Sequence, residues 1–526
     1  MAAPTSPAAA TRASGPARPC YLTLDNGGTN TKALLFGLDG RELASSSFPT
    51  RWIQPKPGMR EIDLDDLRDS LFHAVREVLA KAGVTGADVR CVSTVGHGKG
   101  LYMLDREGHV FRNGILSTDE RASELAVRFE SGVERIYPIS AQHVMPSQAP
   151  VLLRWLKDNA PEDYGRIGHV LSAKDFVRFL LSGAIVQEIG DASGNNLVNL
   201  RERRWDSRLA DFFGVPEAFD WLPELVESDA IVAGVSSDAA NGTGLMEGTP
   251  ICGGLFDIDA GALASGVLDD TRFAVIAGTW NINVFAASEP TARMDGIMNS
   301  LYLRERTLVE ASSPTSAGNL GLALDLLLPG EQAAAKAAGG SIYDRLEREL
   351  AAGDATSTGV IYLPFLYGSN SDPYASASFL GIDSTTTPMQ MVRAVYEGIA
   401  FAHRHHIEQL LAGASRRPEA VRLSGGASNS PAWMRIFADV LGLPVETLAG
   451  SEATGLGGAI VSSVAVGDHA TVADAVANIV AVSAHYEPRA GQSAAYERKY
   501  RAYRGVLDAM DGHWKPLDDC RHANNG

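Results

Sequence analysis

Short apolar runs broken by glycine-rich turns set the pattern of this chain. Tyr21-Leu-Thr-Leu24 leads into Asp25-Asn26-Gly27-Gly28-Thr29-Asn30 and out through Lys32-Ala-Leu-Leu-Phe36, and an Asn-Gly turn between apolar runs predicts a β-hairpin. Leu64, Leu67, Leu71, Val75 and Leu79 then recur at helical spacing, which predicts a helix capped by Asp63 and stopped by Gly83. The hairpin pattern returns about halfway along: Phe273-Ala-Val-Ile-Ala, the turn Gly278-Thr279-Trp280, then Ile282-Asn-Val-Phe285. Strand, helix and strand in succession predict α/β layering, and the repeated hairpin predicts a duplicated domain with its boundary near Gly266 and Val267.

Further on, the strand Val421-Arg-Leu-Ser424 breaks at Gly425-Gly426-Ala427 into a helix capped by Ser430, begun by Pro431 and stopped by Gly442. A long helix is predicted from Pro388, capped by Thr387, to about Leu411. Tyr496, Tyr500, Tyr503, Leu507 and Met510 mark a last amphipathic helix. Residues 1–19, rich in Ala, Pro, Ser and Thr, read as a disordered tail without the apolar run of a signal peptide. The expected organisation is therefore a tail (1–19), a first domain (20–266), a second domain (267–515) and a C-terminal tail (516–526).

Composition narrows the functional classes. With 526 residues, 45% hydrophobic and 21% charged, the chain is an ordinary folded protein with room for more than one core. A net charge of −17 argues against a general nucleic-acid or anionic-membrane partner. It does not exclude an anionic small molecule, because backbone N–H groups and bound Mg²⁺ supply positive field without basic side chains. Cys20, Cys91, Cys252 and Cys520 form no CxxC pair, and the longest apolar candidate, Ala453 to Gly467, is short and diluted by Gly and Ser. A soluble protein of a reducing cytoplasm is the expectation, with no membrane span.

Several segments could carry chemistry. The Asp25 to Asn30 turn offers N–H groups to a phosphate and a carboxylate to hydrated Mg²⁺, with Lys32 nearby for charge; alternatively its residues only shape a turn. Gly278 and Thr279 would form a matching half-site. Gly425, Gly426, Ala427 and Asn429 suit a nucleotide held against backbone, although they fit neither the dinucleotide fingerprint nor a Walker A loop. Asp257 and Asp259, between a strand and a small-residue helix, could split two jobs, one capping the helix and the other taking a hydroxyl proton in a cleft. Gly96-His97-Gly98-Lys99-Gly100 and Asp119-Glu120-Arg121 offer the close-packed donors and acceptors that a polyhydroxylated ligand needs. His403, His405 and His406 resemble a metal site on paper but read as the solvated face of a helix, with no acidic or Cys partner nearby.

Taken in order, Asp25-x-Gly-Gly-Thr-x-x-Lys32, Gly-His-Gly-Lys-Gly, Asp119-x-Arg121, Gly-Gly-Leu-Phe-Asp257, Gly278-Thr279 and Ser424-Gly-Gly-Ala-Ser-Asn429 resemble the FGGY carbohydrate kinases, over about Tyr21 to Lys515. Within that family, Gly98 to Leu101, Gly254 to Asp257, Gly278 to Trp280, Ser313 to Asn319 and Leu363 to Asn370 look most like members that act on L-xylulose. The resemblance implies two duplicated actin-like, ribonuclease-H-like domains around a central cleft, with ATP and Mg²⁺ bound there. It places Asp25 near the metal, Gly27, Gly28, Thr29, Asn30 and Lys32 on one side of the phosphates, and Gly278, Thr279 and Gly318 on the other. It gives Gly425, Gly426, Ala427 and Asn429 to the adenosine, Asp257 to general-base catalysis, and His97, Lys99, Asp119, Arg121 and Asp257 to the sugar. Two departures stand out: Gly28 where many members have Thr, and His97 where Gln is frequent. The implied reaction is ATP-dependent phosphorylation of a hydroxyl of a small open-chain sugar, L-xylulose or a related pentulose. A polyol kinase of the erythritol or ribitol type and a non-catalytic nucleotide sensor stay open, as does a homodimer.

Overall fold

A computed structural model describes residues 18–450 and 452–522; of the expected N-terminal tail, residues 1–17 lie outside the described residues. The first half is built on β1 (Cys20–Asn26), β2 (Asn30–Gly37), β3 (Glu42–Pro49), α1 (Leu64–Ala82), β4 (Val89–Gly96), β5 (Ile231–Gly234), β6 (Pro250–Cys252), β7 (Leu255–Phe256) and α2 (Asp257–Ala264). The tight turn after β1 makes β1 and β2 antiparallel, with β3 beyond β2. Reaching β4 takes a crossover through α1, and β4 accordingly lies parallel to β1. β6 continues the sheet in parallel and β5 closes it as an antiparallel edge. Every residue of β1 is buried, as a central strand covered on both faces requires.

The second half repeats the plan. It uses β8 (Arg272–Ala277), β9 (Asn281–Ala287), β10 (Ile297–Tyr302), β11 (Arg306–Ser313), α3 (Gly318–Leu327), α4 (Pro388–Leu411), β12 (Ala420–Ser424), α5 (Pro431–Leu441), β13 (Val445–Leu448), α6 (Ala453–Ala465), β14 (Val482–Tyr486) and α7 (Ala490–Met510). β8 and β9 form the second hairpin, β12 and β13 extend it in parallel, and β14 is again an antiparallel edge. Strand order thus runs β3-β2-β1-β4-β6-β5 in one sheet and β11-β9-β8-β12-β13-β14 in the other, with β10 added beyond β11. The duplicated α/β reading is borne out, and the chain passes from α2 to β8 through Gly266 at a left-handed φ of 65°.

Local signals hold where they were expected. Asp63 accepts the N–H groups of Asp65 and Asp66, and Gly83 ends α1 at φ 66°. Thr387 and Gln390 complete a capping box on α4. Ser430 caps α5, and Gly442 ends it.

The two halves interlock through α2 and α6. α6 belongs to the second half in sequence but lies on the first sheet: Thr23 Oγ1 donates to Gly455 O at 2.9 Å. Glycines permit this approach, since a Cβ on Gly458 would sit 2.5 Å from Thr23 Cγ2 and one on Gly457 only 2.3 Å from Ala260 O. α2 in turn meets the second sheet, with Ile276 Cδ1 3.0 Å from where a Gly261 Cβ would be. Tyr21, Leu34, Leu263, Val284, Leu456 and Ile460 consequently share one core. Among the described residues no helix is long and apolar enough to cross a membrane.

One boundary needs correction. The tail expected at 516–526 is helical over most of its length, as part of α8 (Trp514–His522). Its anchor is Trp514, which is buried edge-on against Phe365. Residues 523–526 lie outside the described residues.

Candidate active site

Parallel strands deliver their C-terminal ends to one place. Asn26 of β1 is in register with Gly96 of β4, and Gly96 with Phe256 of β7, so Asp25, His97 and Asp257 converge at a single sheet end. Gly254 makes the last turn possible: its φ is 79°, and a Cβ there would lie 2.1 Å from Thr94 O. Asp257 is the first residue of α2 and is partly exposed. Burial, then the charges of Asp25 and Asp191, push its carboxyl up to about 8, while Lys99 draws it down. Lys99 has a left-handed backbone, φ 63°, and its Nζ stands 5.5 Å over the Phe256 ring. Asp25 is buried, accepts Thr454 Oγ1 at 2.8 Å, and is raised to about 6, mainly by desolvation. Lys32 is not a free cation, because its Nζ is 2.7 Å from Glu452 of the second half.

The two hairpin turns are built alike. Gly27 N donates to Asn30 O at 3.0 Å, Thr50 N to Thr29 O at 2.9 Å, and Ser316 N to Thr279 O at 3.0 Å, so both turns are held by backbone bonds. A Cβ on Gly28, Gly278, Gly318 or Gly426 would meet nothing within 4 Å, and these glycines therefore border open space. Gly425, at φ 88°, brings the end of β12 against the second turn: a Cβ there would lie 2.8 Å from Ala277 O and 3.2 Å from Gly278 N. Ala427 turns its side chain into the core. Beside this corner is a cavity of about 770 Å³, lined by Gly425, Gly426, Ser428, Asn429 and Gly450 and, from the first half, by Phe36. Its volume suits a nucleoside, and its lining stops short of Asp25 and Asp257.

On the expected sugar side the residues differ in what they can offer. His97 is buried, 3.4 Å from both Gly98 O and Tyr102 Oη, and burial lowers it to about 4, which leaves the ring neutral near pH 7. Asp119 and Arg121 face each other rather than open space. Both Asp119 oxygens accept from Arg121, Oδ2 also accepts Arg60 N at 2.6 Å, and Arg121 Nη2 donates to Glu61 at 2.9 Å. With its side chain 1% exposed, Arg121 braces the site wall.

Two further expectations change. Asp259 does not cap α2, whose N-cap position is Phe256 without a side-chain bond; its carboxyl is buried with Oδ1 unpartnered and is raised well above the usual range by burial and by Glu188 and Asp191. His403 and His406 are not a solvated face, being 0% and 2% exposed. Sequence reading also missed an ionic group beneath Asp257. Lys174 lies 2.9 Å from Asp175 and 3.4 Å from Glu188, Arg178 lies 2.7 Å from Asp175, and burial raises Asp191 to about 7. The one available signal was a Lys-Asp pair inside the apolar stretch Ala173–Ser182, since buried charges must find partners.

Comparison with known proteins agrees with this architecture. Residues 20–264 match the N-terminal domain of the FGGY family of carbohydrate kinases, and residues 273–466 match its C-terminal domain. The chain is 31% identical over 500 residues to a probable L-xylulose kinase of Haemophilus influenzae, covering 93% of this chain and 99% of that protein. It is also 31% identical over 499 residues to the L-xylulose/3-keto-L-gulonate kinase of Escherichia coli, covering 94% and 97%. Among solved structures, xylulose kinase from Rhodospirillum rubrum superposes with a TM-score of 0.84 at 25% identity, over 94% of this chain and 100% of that one. Paired sheets of the same order, a carboxylate at their meeting point and family matches across both halves lead to one conclusion: the chain belongs to the FGGY family of carbohydrate kinases.

Proposed function

We propose that this kinase transfers the γ-phosphoryl group of ATP to a hydroxyl of a small open-chain sugar, L-xylulose or a closely related pentulose, with Asp257 as general base. The observation that carries the reading is the position of Asp257: a partly exposed carboxyl raised to about 8, beside Lys99 and Asp25, at the sheet end where the first hairpin turn opens. A base with a pKa near the working pH takes a hydroxyl proton efficiently. Open space at Gly28, Gly278, Gly318 and Gly426 accommodates phosphates and nucleoside, whose oxygens the turn N–H groups would hold. Asp25, next to the first turn, fits a hydrated Mg²⁺, which when bound would neutralise charge on the phosphates. Lys99, over the Phe256 ring and near Asp257, is a cation for the sugar side, with His97 as a neutral residue of the same segment. The relatives' names favour pentuloses over polyols.

A coupled ADP-release assay over pentuloses, alditols and glycerol tests this directly. L-xylulose or a near relative should give the highest kcat/KM. A tenfold lead for erythritol, ribitol or glycerol, about 1.4 kcal/mol of transition-state discrimination, would reject the pentulose assignment. Slow ADP release indifferent to any sugar would instead indicate a nucleotide sensor.

A further inference from the structure

Behind the second phosphate turn lies a buried polar network. His403 and His406 of α4 are enclosed with Asn281 and Asn283 of β9 and with Ser316, just before α3. Groups this deep are paired as a rule, Asn281 Nδ2 being the exception within this network, and the distances decide which atom donates. Ala311 O lies 3.1 Å from Asn283 Nδ2, which fixes that amide, and the same nitrogen donates to Asn281 Oδ1 at 2.7 Å. Asn283 Oδ1 is therefore the acceptor 2.9 Å from His403 Nδ1, which must carry the proton. His403 Nε2 is left to accept from Ser316 Oγ, 2.8 Å away. His406 Nδ1 meets Asn281 Oδ1 at 3.1 Å.

These bonds grip the Gly278-Thr279-Trp280 turn by both legs. On one side Ser316 N donates to Thr279 O at 3.0 Å. On the other, Asn281 is the first residue after the turn and is joined to His403 through Asn283. Ser316 also fixes the start of α3, because its carbonyl accepts Asn319 Nδ2 at 2.9 Å while Asn319 Oδ1 accepts Tyr362 Oη at 2.9 Å. Thr279 and Gly318, the two elements given to the phosphates on this side, thus share one support. We propose that His403 is a positioning residue for ATP: with no surface of its own in the cleft, it holds the second turn and the Gly318 segment in the geometry that receives the phosphates. This inference rests on the phosphate reading of that turn.

The test is steady-state kinetics of the full-length enzyme with ATP and sugar varied separately. His403→Ala should raise the KM for ATP by about tenfold or more, since loosened positioning is costly, and change the sugar KM less than twofold. His403→Gln, whose Oε1 can take the place of Nε2, should recover much of that loss. Ser316→Ala should show the same split, and the double variant should be no worse than the worse single one. Gly278→Val is the control for the underlying reading: a Cβ there meets nothing within 4 Å, and the valine methyls would extend into the open side of the turn. Were Gly278→Val to leave the ATP KM unchanged, the phosphate reading fails and the inference with it. A raised ATP KM in Gly278→Val, together with normal or equally raised KM values in folded His403→Ala, overturns the positioning role alone. If His403→Ala does not fold, His403→Gln and Ser316→Ala decide: normal ATP KM values in folded Ser316→Ala overturn the inference.

Discussion

Asp257→Asn should lower kcat by about 10²- to 10⁴-fold, the usual range of a general-base contribution, while ATP and sugar still bind. Asparagine keeps the shape and most of the hydrogen bonding but cannot accept a proton. Because the carboxyl is raised to about 8, activity of the wild-type enzyme should climb as pH rises through that region, and Asp257→Asn should lose this limb. Lys99→Met should move the limb upward, as it removes the cation that draws the carboxyl down. Stability should respond in the opposite sense. Between 3.8 and about 8 the native side chain keeps a proton that the unfolded chain has released, so this group costs stability as pH rises across that window. Thermal melts at pH 8 should accordingly show Asp257→Asn more stable than wild type. Asp259→Asn serves as comparison: a folded but dead Asp259→Asn beside an active Asp257→Asn would move the base by two residues.

Gly457→Ala should be among the most destabilising single changes in the molecule. The added Cβ would lie 2.3 Å from Ala260 O and 2.7 Å from Ala260 Cα, backbone that cannot swing aside. Separating α6 from α2 should cost about 3 kcal/mol, the upper range for overpacking, and depress activity as well because Asp257 heads α2. Gly505→Ala makes the contrast. Gly505 is exposed within α7 and a Cβ there meets nothing within 4 Å, so the change should gain about 0.5–1 kcal/mol of helix stability. Urea unfolding of the two variants gives the comparison; equal midpoints would show that α2 and α6 are not in backbone contact.

What could be read from the chain was whatever local chemistry decides. Asp63, Thr387 and Ser430 cap their helices from within a few residues, and two Gly-Thr hairpins disclose a duplication without any tertiary contact. Asp257 became a candidate base through resemblance, since a strand-end carboxylate by itself is equally a cap. Three features depended on distant partners. The glycines of α6 announce a close approach but not that Thr23 and Ala260 make it. Lys174 finds Glu188 and Asp191 only after folding. His403 and His406 looked polar beside Arg404 and Glu408, yet they share the buried side of α4 with Ile399 and Leu410, and their asparagine partners lie more than a hundred positions away. Asp119 and Arg121 read in the sequence as donors and acceptors for a polyhydroxylated ligand, whereas their saturation by each other, Glu61 and Arg60 N depends on the folded geometry.

The seating of α6 on the first sheet also governs how the gene could be divided. A cut between residues 266 and 267 follows the sequence duplication, yet the first fragment would present Thr23, Leu34 and Phe36 to water where Gly455 and Gly458 now cover them. It would also lose Thr454, the hydroxyl partner of Asp25. The second fragment would carry α6 without the sheet it rests on. Such fragments should aggregate when expressed apart and regain activity only by complementation, each acting as the missing half of the other's core.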